Sequence, residues 1–256
     1  MSFCPSASID GGFRPEYFEL LAEAEAGSFW FRARNRLICW AVAPYLSGNA
    51  SYCEIGCGTG YVLSGLARAF PAARLSASEI YAEALSFAAS RVPSASFYQM
   101  DARRIPFAGE FDVIGSFDVL EHIEDDERVM AQMHRALVPK GRIIVTVPQH
   151  PFMWSQQDEH ACHVRRYTAR EIRSKLESAG FTVDLMTSFV SLLFPLMFLT
   201  RRRSHAADYD ATSDLRLSSF VDSALDGVMT VERALIRAGL RFPFGGSLLV
   251  VAQRKD

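Results

Sequence analysis

Three acids and three glycines carry the first chemical signal in this chain. Glu54 precedes Gly56, Gly58 and Gly60 in "CEIGCGTGYVL", Glu79 lies near the end of "RLSASEI", and Asp101 opens "DARRIPF". Glycines at alternate positions let a ligand approach the backbone closely. Their spacing is GxGxG. A dinucleotide fingerprint, GxGxxG, needs its third glycine at position 61, where Tyr61 stands, so the spacing that seats a pyrophosphate on a helix N-terminus is missing. A row of carboxylates would also repel phosphates. It suits a ligand with a vicinal diol, amino groups and a positive centre.

A second cluster lies downstream. "QHPFMWSQQDEHACHVRRY", Gln149 to Tyr167, holds three of the six histidines, Cys162 and two acids. Such side chains are the ligands of zinc and iron, yet His160-x-Cys162-His163 is too tightly spaced for the usual zinc pairs, and no CxxC or HExxH accompanies it. The expectation is therefore no metal. Histidine titrates near neutrality, which makes His150 and His163 candidate general bases; the alternative is that these side chains only tie the loop to the following helix.

The elements that must position these residues alternate. Leu37, Trp40, Ala41, Pro44 and Tyr45 keep a helical rhythm, so 29–46 reads as an amphipathic helix ending near Ser47-Gly48. Strands follow at 51–55, 74–80, 95–100, 111–117 and 141–147, with helices after the glycine turn, at 82–91 and at 125–137. "YTAREIRSKLESAGF" opens with the capping box Thr168-x-x-Glu171 and ends at Gly180, a C-cap glycine. Further strands are read at 182–189 and in the closing "GGSLLVVAQRKD", with a helix through Phe220, Ala224, Val228, Val231 and Leu235 between them. Strands alternating with helices predict an α/β fold, an open and mostly parallel sheet with helices on both faces. The acids at successive strand ends then meet in the crevice where such sheets bind ligands.

Composition narrows the function classes. The 256 residues are 49% hydrophobic and 22% charged with a net charge of −2, so there is no field to hold a polyanion and nucleic acid is not an expected partner. Cys4, Cys39, Cys53, Cys57 and Cys162 are odd in number and scattered, which favours reduced thiols in the cytoplasm. "MSFCPSASIDGGFRPEYF" lacks the basic and apolar regions of a signal peptide. The apolar run "FVSLLFPLMFL", 189–199, is too short to cross a bilayer, which takes roughly 20 residues. It reads as a buried or lid helix kinked at Pro195. The other reading is peripheral contact with the inner membrane face through 189–203, with Arg201, Arg202 and Arg203 at the headgroups.

Taken in order, "EIGCGTG", the acid Glu79, "DARRIPF", "FDVIGSFDVLEHI" and "LVPKGRIIVTVP" resemble the motifs of the class I S-adenosylmethionine-dependent methyltransferases. The likeness covers about residues 50–190 and the last strand. It implies a doubly wound, Rossmann-like sheet of seven strands, the last inserted antiparallel beside the fifth. It also implies a single domain with an N-terminal helical cap at 1–48, a cofactor-binding core at 49–189, a lid or insertion at 190–245 and the last strand at 246–256. S-adenosyl-L-methionine is the implied cofactor.

Carried onto this chain, the resemblance puts the methionine end of the cofactor on Glu54, Gly56, Cys57, Gly58 and Gly60. Glu79, followed by Ile80, would accept both ribose hydroxyls. Asp101, with Ala102 beside it, would take the adenine amino group, and Phe117, Asp118 and Val119 would line the adenine and methionine walls. His122 would contact cofactor or acceptor, or is simply packed. For Glu79 and Asp101 the competing reading is a helix cap. "SFWFRARNRLI", 28–38, also resembles the helix lying over the cofactor in a bacterial branch associated with envelope glycans and natural products; there Arg34 or Arg36 would pair with the methionine carboxylate, and Trp30 or Phe31 would close the pocket.

A sulfonium methyl is already electrophilic, so the protein mainly aligns a nucleophile, a positioning effect of roughly 7 to 11 kcal/mol. The expected activity is methyl transfer, O- or N-methylation foremost, to a small-molecule, glycan or lipid-linked acceptor, with 149–167 as the acceptor-side loop. The alternatives are a nicotinamide-dependent oxidoreductase and a noncatalytic methyltransferase-like binding subunit.

Overall fold

A computed structural model of the chain describes residues 1–3, 17–203 and 217–256, with the side chains of 201–203 excepted. Cys4 and the three arginines invoked for a membrane contact thus lie outside the described side chains, as does most of the 201–216 stretch.

Seven strands form one sheet: β1 (Ser51–Ile55), β2 (Arg74–Glu79), β3 (Ser96–Gln99), β4 (Phe111–Phe117), β5 (Leu137–Pro148), β6 (Phe181–Phe189) and β7 (Ser247–Arg254). Their order is β3-β2-β1-β4-β5-β7-β6. β1 to β5 pair in parallel, and β7 lies antiparallel between β5 and β6. The expected seven-stranded, mostly parallel sheet is therefore present.

Alternation along each strand divides the core. Tyr52, Val113, Ile144 and Leu249 join the helices on one face, α2 (Phe29–Val42), α3 (Tyr61–Ala69), α4 (Ala82–Arg91) and α9 (Ser219–Arg237). Cys53, Ile114, Val145 and Val250 meet α5 (Asp126–Ala136) and α7 (Ala169–Ser178) on the other. The period of two aims successive side chains at opposite layers. A strand buried on both sides thus reads as a continuous apolar run such as "RIIVTV".

Three further α-helices are α1 (Tyr17–Ala24), α6 (Gln156–His160) and α8 (Phe194–Arg203). The expected kink at Pro195 does not occur, because Pro195 is the second residue of α8. In the first turn its missing N–H has no partner to lose. The helix expected over 29–46 ends at Val42, and Ala43 to Tyr45 form a turn.

The face formed by α5 and α7 carries a charge cluster. Asp126, 2% exposed, accepts from Tyr167 Oη at 2.6 Å and from Lys175 Nζ at 2.7 Å, and pairs with Arg165 at 2.7 Å. Burial by itself would raise its carboxyl. The hydrogen bonds from Lys175, Tyr167 and Arg165 outweigh that and hold it below the ordinary 3.8. A depressed carboxyl stabilises the fold above its unfolded value and loses that contribution as pH falls through the folded value. Urea unfolding at pH 7 and near pH 3 is expected to show this loss, and Asp126→Asn to shrink the difference between the two; an unchanged difference would exclude Asp126 as a source.

Candidate functional site

The site is built where β1, β2 and β4 end. The backbone leaving β1 turns through Gly56, Gly58 and Gly60, all with positive φ of 73°, 50° and 76°. The N–H groups of Gly56 and Cys57 both donate to the Ser78 carbonyl at 2.9 Å, which stitches the turn to β2. At Gly56 a Cβ would come within 2.5 Å of the Val119 side chain, and at Gly60 within 2.8 Å of the Ala88 backbone. Close approach and left-handed φ both demand glycine here. Cys57 is a buried thiol pushed well above its ordinary value by burial, and so inert at neutral pH.

Glu79 closes over this turn. One oxygen accepts from Gly58 N–H at 3.0 Å and the other from Ile80 N–H at 2.7 Å. It is 8% exposed, and burial raises its carboxyl while the backbone donors lower it. Glu54 stands at the end of β1, 2% exposed, with Tyr52 Oη 3.4 Å away. Burial pushes its carboxyl up to about 8, against the opposing charge of Arg34.

Arg34 comes from α2, which crosses over this end of the sheet. It pairs with Asp118 at 2.5 Å, lies 5.2 Å from the Trp30 ring centroid and 6.0 Å from that of Phe117. Asp118 has φ of 57°, and both its N–H and its carboxylate engage Thr146 of β5, at 2.9 and 3.2 Å. Of the residues expected at a cofactor, Arg34, Glu54, Phe117 and Asp118 are thus brought together, with Val119 against Gly56. Arg36 points elsewhere and pairs with Asp226 of α9 at 2.5 Å.

Asp101 behaves differently. It caps the short turn Ala102–Arg104 by accepting from Arg103 N–H at 2.8 Å, and both its oxygens are engaged by the Arg103 guanidinium. These contacts are those of the capping reading.

The two candidate bases part company. His150, with φ of 65°, stacks between Phe152 and Phe244 at centroid distances of 4.9 and 5.2 Å, with Phe194 of α8 at 5.7 Å. Burial and the Arg166 charge lower its pKa, and its Nε2 is buried without a partner. His163 instead pairs through Nδ1 with Asp158 Oδ1 at 2.8 Å and lies beside His122, ring centroids 4.7 Å apart. Arg166 links the two regions by bonding Asp158 at 2.7 Å and the Gln149 carbonyl at 2.9 Å.

Several contributors have no signature in periodicity. Glu25, in the turn just after α1 and 6% exposed, accepts from Thr59 Oγ1 and pairs with Arg91 of α4 at 2.6 Å, clamping the end of α1 onto the glycine turn. Glu121, part of the motif "LEHI", is fully buried. Asp158 was detectable in principle, because Ser155-x-x-Asp158 is the spacing of a capping box, and Ser155 N–H does donate to it at 2.9 Å.

The sequence profile of the family described as "Methyltransferase domain" matches residues 23–185. The chain is 27% identical over 164 residues to a Mycobacterium tuberculosis protein named "Probable S-adenosylmethionine-dependent methyltransferase", covering 63% of this chain and 58% of that protein. It is 32% identical over 134 residues to the trans-aconitate 2-methyltransferase of Deinococcus radiodurans, covering 52% and 48%. The chain thus spans about half the length of the curated relatives it matches. Among solved structures, the [4+2]-cyclase SpnF superposes with a TM-score of 0.60 at 19% identity, over 88% of this chain and 83% of that one. N-methyltransferase NodS from Bradyrhizobium japonicum, solved with S-adenosyl-L-homocysteine, gives 0.55 at 16%, over 88% of each. At such identities these two speak for the fold alone.

Proposed function

The chain belongs to the class I S-adenosylmethionine-dependent methyltransferases, and on that premise we propose that it binds S-adenosyl-L-methionine in the crevice above β1, β2 and β4 and transfers the methyl group to a small-molecule acceptor. The observation that carries this reading is the pairing of the glycine turn with Glu79. A buried carboxylate, already fixed by Gly58 and Ile80, keeps lone pairs for the two hydroxyls of a ribose. Arg34 is the cation available to the methionine carboxylate, in exchange for or beside Asp118.

The acceptor side is the aromatic group around His150. A ring or alkyl portion of the acceptor fits against Phe152, 62% exposed, and Phe244, 58% exposed, which supports a partly apolar or lipid-linked acceptor. The described parts of the insertion, 190–203 and 217–245, then serve as the lid. His150, held neutral by burial and the nearby Arg166 charge, is the base we assign for a hydroxyl acceptor, a contribution of about 100- to 10,000-fold where such a proton must leave. Of the described helices, none is long and apolar enough to cross a membrane.

Calorimetry with S-adenosyl-L-methionine, S-adenosyl-L-homocysteine and NAD tests the reading. One site per chain for the first two is expected, and no heat from the third. Binding of NAD alone would move the chain to oxidoreductase chemistry.

A further inference from the structure

One cluster beside the proposed site is used by neither the cofactor nor the base. Glu121 is 0% exposed, and neither of its carboxylate oxygens has a hydrogen-bond partner. A buried carboxylate left unpaired costs several kcal/mol, so it marks a place built for a positive partner. Burial, and next the Asp118 charge, push its carboxyl well above the ordinary range, while Arg34 and Arg166 act on it only at a distance.

What faces Glu121 is nitrogen. His163 Nε2 lies 4.0 Å from Glu121 Oε1, and the loop is held there by Val164 N–H donating to the Glu121 carbonyl at 2.8 Å. The other ring nitrogen of His163 pairs with Asp158 Oδ1, which also accepts from Arg166, while Asp158 Oδ2 accepts from Ser155 N–H. His122 Nδ1 is buried with no partner. One ligand atom from each of Glu121, His122 and His163 lies within 4.8 Å of the other two.

We propose that Glu121, His122 and His163 bind one divalent transition-metal ion, of the zinc or cobalt kind, through Glu121 oxygen, His122 Nδ1 and His163 Nε2. Two imidazoles and one carboxylate suit such ions, and three protein ligands leave a position open. Ligand–metal bonds of about 2.0–2.2 Å put two ligands at most about 4.4 Å apart, so small side-chain rotations close the site. Asp158 on the far nitrogen of His163 is the outer carboxylate that fixes the tautomer and orients a metal-bound imidazole. The open position would take an oxygen or nitrogen of the acceptor, a role that rests on the methyltransferase reading above.

The test separates the two. Chelator-treated wild-type protein is titrated with cobalt(II), followed by visible absorption, and with zinc(II), followed by calorimetry. One ion per chain is expected, with affinity at least tenfold lower in Glu121→Gln and in His163→Ala, and zinc raising the Tm of the wild type but not of Glu121→Gln. His163 lies in a surface loop with its side chain 15% exposed, so His163→Ala is expected to fold, as its circular dichroism would verify. No uptake by the wild type, or equal affinity in both variants, overturns the site. S-adenosyl-L-methionine binding measured on the chelated protein reports the cofactor reading independently.

Discussion

Replacing Glu79 with alanine is expected to weaken S-adenosyl-L-methionine binding at least tenfold. The carboxylate is held rigidly at the end of β2 by Gly58 N–H at 3.0 Å and Ile80 N–H at 2.7 Å, so no ordering cost falls on it when a ligand arrives. Hydrogen bonds to a charged group contribute about 1.5 to 3 kcal/mol each, and about 1.4 kcal/mol is a factor of ten. Loss of one of a bidentate pair therefore suffices. Truncation also releases the Gly58 N–H and loosens the turn. Glu79→Gln lessens the second effect but does not remove it, because the amide keeps the shape and one acceptor while its NH2 faces one of the two backbone N–H donors: its Tm should fall less than that of Glu79→Ala while affinity still falls. Calorimetry that finds the same dissociation constant in wild type and Glu79→Ala would remove Glu79 from the ribose contact.

The second large effect concerns stability. Glu232 of α9 is 0% exposed and accepts from the backbone N–H groups of Val190, Ser191 and Leu192 at 2.7, 2.6 and 2.8 Å. It caps the turn after β6, where Val190 adopts a φ of 58°. Glu232→Ala would orphan three donors in or near the core, each costing about 1 to 3 kcal/mol. Some will find water, so about 3 to 5 kcal/mol is expected in urea unfolding, against total stabilities of about 5 to 15 kcal/mol. A loss under about 1 kcal/mol would mean the turn is held by other contacts. The change should also reach the site, because α9 grips α2 through Asp222 on Arg32 and Asp226 on Arg36, both at 2.5 Å, and α2 carries Arg34.

The sequence was most legible where a local rule suffices. Strand alternation, the glycine turn and the Thr168 cap depend on near neighbours. Each appears where the spacing predicts, with Thr168 Oγ1 accepting from Glu171 N–H at 3.1 Å. The ordered motifs carried the family as well, since they encode the ends of β1, β2 and β4. Boundaries slipped where a turn could extend a helix, as after Val42.

Partnerships across the chain were decided elsewhere. His160, Cys162 and His163 were read against one another because they are close in sequence, yet the nitrogen of His163 faces Glu121 and His122, some 40 residues earlier. Asp101 could serve a ligand or a cap, and only the placement of Arg103 engages its oxygens. Glu25, Glu121 and Glu232 look like ordinary surface acids in a helical pattern. Burial makes them significant, and burial depends on which elements the sheet brings together. By itself, then, the sequence determined the repeating α/β pattern and the glycine–acid frame, since both follow from periodicity and backbone sterics. Which charges meet in the dark between those elements was settled by the tertiary structure, because a side chain's partner is fixed by distance in space and its strength by the exclusion of water.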